Sequence, residues 1–155
     1  MKDILDKTKI FKGLSETELK EIKKVVKKVK VKEGKTVFNK GEAGGQLYIV
    51  HSGAVDIFVI INMEWGPEEI QLARLNEGAA VGELSFFDGQ KRSASAKTFI
   101  DSQLLTLDKK DYDRLVEKNK GLGLKILTNA FKLVSKRLRI SNTNVSDMAR
   151  NLYFY

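Results

Sequence analysis

Cysteine is absent from the 155-residue chain, and proline, histidine and tryptophan occur once each, so several kinds of chemistry are excluded at the outset. Without cysteine there are no disulfides and no thiolate metal ligands, which agrees with a reducing compartment. The single histidine, His51, gives no histidine cluster for a metal centre and no Ser-His or Cys-His pair for nucleophilic catalysis. His51 therefore reads as a structural strand residue, and neither catalytic nor metal-binding residues are assigned. No run approaches the ~18 apolar residues of a membrane span, and the start MKDILDKTKI lacks a signal-peptide core, so the sequence reads as cytoplasmic. Positive charge, by contrast, is plentiful. Lysine and arginine total 28 against 20 acidic residues, a formal charge of +8 that suits polyanions without identifying one.

The length suits one domain with its own core. Ser15-Glu16-Thr17-Glu18 after Leu14 reads as a capping box, with Leu14 stapling onto Leu19. The helix it starts presents Leu19, Ile22, Val25, Val26 and Val29 inward; Lys20, Lys23, Lys24, Lys27 and Lys28 form a solvated face or a surface for an acidic partner. From Val29 the period changes to two. Strands are expected at Val29–Val31, Thr36–Phe38, Leu47–His51, Ala54–Ile61, Glu69–Leu75, Ala94–Thr98 and Gln103–Leu107, with a hairpin connection at Trp65-Gly66-Pro67. That spacing predicts an α+β protein: a double-stranded β-helix, or jelly roll, with an N-terminal helix and C-terminal helices. Asp108 is expected to cap a helix through about Lys118, with Gly121 and Gly123 breaking it before a long final helix. In that helix Leu127, Phe131, Val134, Leu138, Ser141, Val145, Met148 and Leu152 alternate four and three apart. Such a seam serves a parallel dimer, or packs the helix on its own domain.

Residues Gly82–Ser95, GELSFFDGQKRSAS, carry the binding chemistry. Gly82 permits close backbone approach, Glu83 opens a helical turn over Leu84–Phe87 whose free N–H groups attract an anion, and Arg92 follows a turn at Asp88-Gly89. A guanidinium pairs with phosphate, whereas the Glu83 carboxylate suits a sugar hydroxyl. A nucleotide carries both groups.

The run Gly82-Glu83-Leu84-Ser85 followed by Arg92-Ser93-Ala94 resembles the phosphate-binding cassette of cyclic-nucleotide-binding domains, and most closely the sensor domain of catabolite activator proteins. The likeness extends through Val31–Phe58 and Leu75–Glu83 and covers the chain from about Ile10 to Leu152. It implies a β-roll with flanking helices over 10–120 and a long lid and dimerisation helix over 121–152. It also implies a regulatory cyclic nucleotide, cAMP with cGMP as the alternative, gripped by Gly82, Glu83, Leu84, Ser85, Arg92, Ser93 and Ala94. Ile57, Leu72 and Ala73 would line the sugar and base, Arg137 would pair with Glu83, and Ser141 and Asn142 would contact the adenine together with the partner of a homodimer. Ser141 also fits a simpler role in fixing the register of the seam.

Departures are expected to weaken the cassette without breaking it. Gly45 replaces a usually acidic residue and predicts a looser loop; Lys91 stands where relatives have proline; Ser93 leaves the base preference open. Because the chain stops three residues after Leu152, no helix-turn-helix reader is expected, and with it no sequence-specific DNA binding; output passes to an unidentified protein partner. The competing readings are a dimerisation module that has lost its ligand and a non-specific nucleic-acid binder. An enzyme would need a nucleophile, metal set or acid/base pair that is not seen.

Overall fold

The computed structural model describes residues 4–153. It begins with α1 (Ile4–Lys7), a 3-10 turn (Lys9–Phe11) and α2 (Glu16–Val25). The Ser15 hydroxyl accepts from the Glu18 N–H at 3.2 Å while Glu18 Oε2 accepts from the Ser15 N–H at 2.7 Å, the reciprocal capping read from the sequence. Leu19 and Ile22 are buried, but α2 stops at Val25. Val29 therefore adds nothing to the helix face; it lies in a strand and is 42% exposed.

Eight strands follow: β1 (Lys27–Val31), β2 (Thr36–Phe38), β3 (Gln46–Ser52), β4 (Ala54–Met63), β5 (Gly66–Asn76), β6 (Ala80–Val81), β7 (Ser95–Thr98) and β8 (Ser102–Asp108). They form two four-stranded antiparallel sheets in the orders β1-β8-β3-β6 and β2-β7-β4-β5, the jelly roll that the strand spacing predicts. β3 and β8 read as nearly continuous apolar runs because both their faces are covered. Leu47, Ile49, Leu105 and Leu107 pack towards the helices, whereas Val50 and Leu104 join Phe38, Val55, Val81 and Ala96 between the sheets. β6 has only two residues, too few to show a period of two. The hairpin turns at Trp65, whose Nε1–H donates to Glu68 Oε1 at 2.6 Å and whose ring stays exposed.

Two C-terminal expectations need correction. Asp108 does stand before α4 (Lys109–Lys118), but its carboxylate does not cap that helix. It accepts instead from Lys27 Nζ at 2.7 Å and Gln46 Nε2 at 2.8 Å, charged and neutral donors brought in from distant strands. Nor do Gly121 and Gly123 interrupt a helix. The break is at Asn119, whose Oδ1 accepts from the Leu122 N–H at 3.0 Å, and both glycines lie inside α5 (Lys120–Tyr153). A Cβ on Gly123 would stand 2.7 Å from Val116 Cγ1, so this glycine lets α5 turn tightly against α4.

Leu122, Ile126 and Ala130 bury one stripe of α5 against the domain core. The adjacent seam is largely uncovered: Leu127, Phe131, Leu138, Val145, Met148 and Leu152 are exposed and Val134 is half-buried. Leu122, Ile126 and Ala130 thus pack a stripe beside the seam, while Val134, Leu138, Ser141, Val145 and Met148 of the seam face a cavity between α5 and the β-roll. Among the described residues no helix is long and apolar enough to cross a membrane.

Glu18 ties α2 to the start of α5, since both its carboxylate oxygens accept from Lys125 Nζ, at 3.1 and 2.8 Å. The Lys125 bond, with the Ser15 N–H, holds the Glu18 carboxyl below its ordinary pKa. Its contribution to stability is therefore complete above the unfolded pKa of about 4.3 and fades as pH falls through the lower folded value. Glu18→Gln keeps a capping acceptor and loses the charge. The variant should unfold about 1 kcal/mol more easily at pH 7, with the deficit shrinking as pH is lowered below about 4.3, as measured by urea denaturation across that range.

Candidate functional site

Gly82 links β6 to α3 (Glu83–Asp88) with φ +79°, a left-handed conformation, and a Cβ there would stand 2.2 Å from Arg92 Nη1. Both the backbone angle and the lack of space demand glycine. The short helix is held from behind by three aromatic rings: Phe86 and Phe87 pack edge-on to each other and to Tyr112 of α4, with centroid separations of 5.1–5.7 Å. After α3 the Asp88 carboxylate accepts from the Gln90 N–H at 2.8 Å and turns the chain towards Arg92.

Arg92 is 5% exposed. Nη1 donates to Gly82 O at 2.9 Å and Ser85 Oγ at 2.8 Å, and Nη2 donates to Gln46 O at 2.7 Å. The guanidinium lies 4.2 Å from the centre of the Phe38 ring. All three hydrogen-bond acceptors are neutral, and the buried Nε–H has no partner. The well-buried carboxylates are engaged elsewhere, Asp56 with Arg74, Glu18 with Lys125 and Glu83 with Arg137; among the described residues none pairs with Arg92. Burial accordingly pushes the Arg92 guanidinium below its ordinary pKa, opposed by attraction to Tyr48, Glu42 and Glu83. A buried cation with no ion-pair partner is costly, and a small anion is the group that would relieve the cost.

The loop that carries Glu42 and Gly45 is not loose, as the missing acidic residue had suggested. Gly41 N–H donates to Arg92 O at 2.9 Å, Arg92 N–H to Glu42 O at 2.8 Å, and Lys109 N–H to Gly45 O at 2.9 Å. Backbone hydrogen bonds fix it to the arginine segment and to the start of α4.

Glu83, 4% exposed, forms an ion pair with Arg137 of α5, whose Nη2 also donates to Ala80 O at 2.9 Å. These groups border a cavity of about 910 Å³ between the β-roll and α5. The cassette residues Gly82, Glu83, Leu84 and Ser85 and the following Arg92, Ser93 and Ala94 line it on one side. Ile57, Leu72 and Ala73 line it from β4 and β5, where a bulge after Ile57 leaves Leu72 without a cross-strand partner. Arg137 and Ser141 reach it from α5.

Asn142 does not line the cavity of a single protomer; the sequence expectation placed its contact together with the partner of a homodimer. Successive residues on a helix point about 100° apart, so with Ser141 facing the cavity Asn142 is turned to solvent. Among the residues the sequence reading left out of the site are Phe38, which stacks on Arg92, and, on α5, Leu133 and Asn144 as well as the seam residues Val134, Leu138, Val145 and Met148. For Leu133 and Asn144 a signal was available in the sequence, because they lie on the side of α5 that carries Ala130 and Arg137.

Residues 28–119 match the family model described as cyclic nucleotide-binding domain. The chain is 35% identical over 127 residues to the cyclic AMP receptor protein of Thermus thermophilus, covering 79% of this chain and 56% of that protein. It is 29% identical over 148 residues to the CRP-like cAMP-activated global transcriptional regulator of Mycobacterium tuberculosis, covering 96% of this chain and 63% of the regulator. The chain thus spans less than two thirds of the length of these curated relatives. Among solved structures, the catabolite activator protein of Thermus thermophilus superposes with a TM-score of 0.76 at 30% identity, over 92% of this chain and 63% of that one. On the family match, which covers more than half of its length, this chain belongs to the cyclic nucleotide-binding domain family.

Proposed function

We propose that the chain is a cyclic-nucleotide sensor module whose ligand is cyclic AMP and whose output is movement of α5. The observation that carries the reading is Arg92, a buried guanidinium with an unpartnered Nε–H and no anionic partner, on the wall of a cavity that fits a nucleotide. One phosphate would supply the missing charge, Glu83 would accept from a ribose hydroxyl, and the apolar wall at Ile57, Leu72 and Ala73 would take the base. The names of the Thermus and Mycobacterium relatives favour cyclic AMP over cyclic GMP.

The output follows from the Glu83–Arg137 pair, which ties the cassette to α5. A ligand hydroxyl that engages Glu83 changes how firmly Arg137 is held, so one arrangement of α5 binds ligand better than another. In this reading residues 10–120 form the binding unit and 121–152 its lid and dimerisation helix. The exposed seam from Leu127 to Leu152 supports a homodimer, and a downstream protein in the cytoplasm would read the helix position. Regulation rather than catalysis suits relatives that are named as receptors and regulators.

Calorimetric titration should detect cyclic AMP binding to the purified chain. Arg92→Ala should weaken it by about 1.5–3 kcal/mol, about ten- to a hundredfold in Kd. A folded protein that binds neither cyclic AMP nor cyclic GMP would favour the dimerisation module that has lost its ligand. In the seam, Phe131→Glu should convert a dimer to a monomer in sedimentation equilibrium, because a carboxylate at a core seam position is desolvated without a partner.

A further inference from the structure

The β3–β6 ladder consists of the pairs Tyr48–Val81 and Ile49–Ala80. Beyond its open end the Arg92 guanidinium takes the place of a further rung, with Nη2 donating to Gln46 O of β3 at 2.7 Å and Nη1 to Gly82 O after β6 at 2.9 Å. The position of the guanidinium thus depends on where the Gln46 carbonyl points. Two glycines, Gly44 and Gly45, precede it, and glycine is the residue whose backbone rotates most freely. Order at this peptide has to come from elsewhere.

It comes from the Gln46 side chain, which is gripped at both polar ends. Gln46 stands opposite Asp108 in the β3–β8 register, and its Nε2 donates to Asp108 Oδ1 at 2.8 Å while its Oε1 accepts from the Tyr48 hydroxyl at 2.7 Å. Asp108 is fixed in turn by Lys27 Nζ, 2.7 Å from Oδ2, and the Lys109 N–H holds Gly45 O at 2.9 Å. A carboxamide with donor and acceptor both engaged cannot swing without breaking two hydrogen bonds. The Tyr48 ring also flanks the guanidinium, with Arg92 Cζ 5.8 Å from its centre. Gln46, Tyr48 and Asp108 border a separate cavity of about 610 Å³, and none of them lines the larger one; Arg92 and Phe38 border both and form the partition. The three side chains therefore reach a ligand in the larger cavity only through Arg92.

We propose that Gln46, clamped between Tyr48 and Asp108, is a positioning residue that aims the Arg92 guanidinium at the ligand phosphate, an assignment that rests on the cyclic-nucleotide reading above. The test combines titration with cyclic AMP and the 15N NMR signal of the Arg92 Nε–H in ligand-free protein. Gln46→Ala keeps the carbonyl and removes both side-chain contacts; it should weaken cyclic AMP about three- to tenfold and move the Arg92 signal before any ligand is added. Tyr48→Phe keeps the ring and loses one of the two grips, so it should act in the same direction by about two- to threefold. Asp108→Asn still offers Gln46 an acceptor and should stay within about twofold of wild type. In an Arg92→Ala background Gln46→Ala should cost no further affinity, because its effect passes through the guanidinium. A loss that persists in full without Arg92 would overturn the positioning role, as would unchanged affinity and an unmoved Arg92 signal in both Gln46→Ala and Tyr48→Phe; either result leaves the sensor reading intact. Wild-type protein that binds neither cyclic AMP nor cyclic GMP would overturn the sensor reading, and the positioning role with it.

Discussion

A guanidinium buried without a counter-ion is the constraint around which the site is arranged. Arg92 keeps its place through three neutral acceptors and an aromatic ring: Gly82 O and Ser85 Oγ at the start of α3, Gln46 O at the start of β3, and Phe38 at the end of β2. Gly82 must be glycine to let it in, Gln46 must end the β2–β3 connection with its carbonyl in reach, and the aromatic cluster behind α3 must keep Ser85 aimed at it. Neutral acceptors hold the cation in position and do not cancel its charge. The arrangement is preorganised for an anion, and the desolvation of the arginine has already been borne by folding rather than by binding.

The second organising element is α5, which works on three sides at once. Leu122, Ile126 and Ala130 anchor its first half to the core, with Glu18–Lys125 reinforcing the anchor from α2. Arg137 then joins it to the cassette, and the seam from Leu127 onwards is largely exposed, with Val134, Leu138, Val145 and Met148 on the open cavity. α5 is thus fixed at its start, joined to the cassette through Arg137, and exposed along much of its second half. The Glu83–Arg137 pair is where the cassette and α5 meet.

Local chemistry was legible in the sequence and distant partnerships were not. The capping box at Ser15, the seven longer strands and the Glu83 to Arg92 segment depend on near neighbours, and the structure places them as read. The ion pair of Arg137 with Glu83 came from the family resemblance, because nothing in the spacing joins residues so far apart. Asp108 reads as a helix cap until Lys27 and Gln46 arrive from other strands and take its carboxylate. Gly123 reads as a breaker, since a sequence does not show that Val116 will press against it. Asn142 came from the family resemblance as a contact made with a partner protomer, and within one protomer Ser141 rather than Asn142 lines the cavity.

The central claim is that an anion completes Arg92. It is tested most directly by following the Arg92 side-chain Nε–H by 15N NMR as cyclic AMP is added. The account predicts a large downfield shift of that one proton and slowed exchange with water, as the unpartnered donor gains a charged acceptor, while the Arg74 signal, already paired with Asp56, stays in place. An Arg92 signal unmoved at saturating cyclic AMP would contradict it.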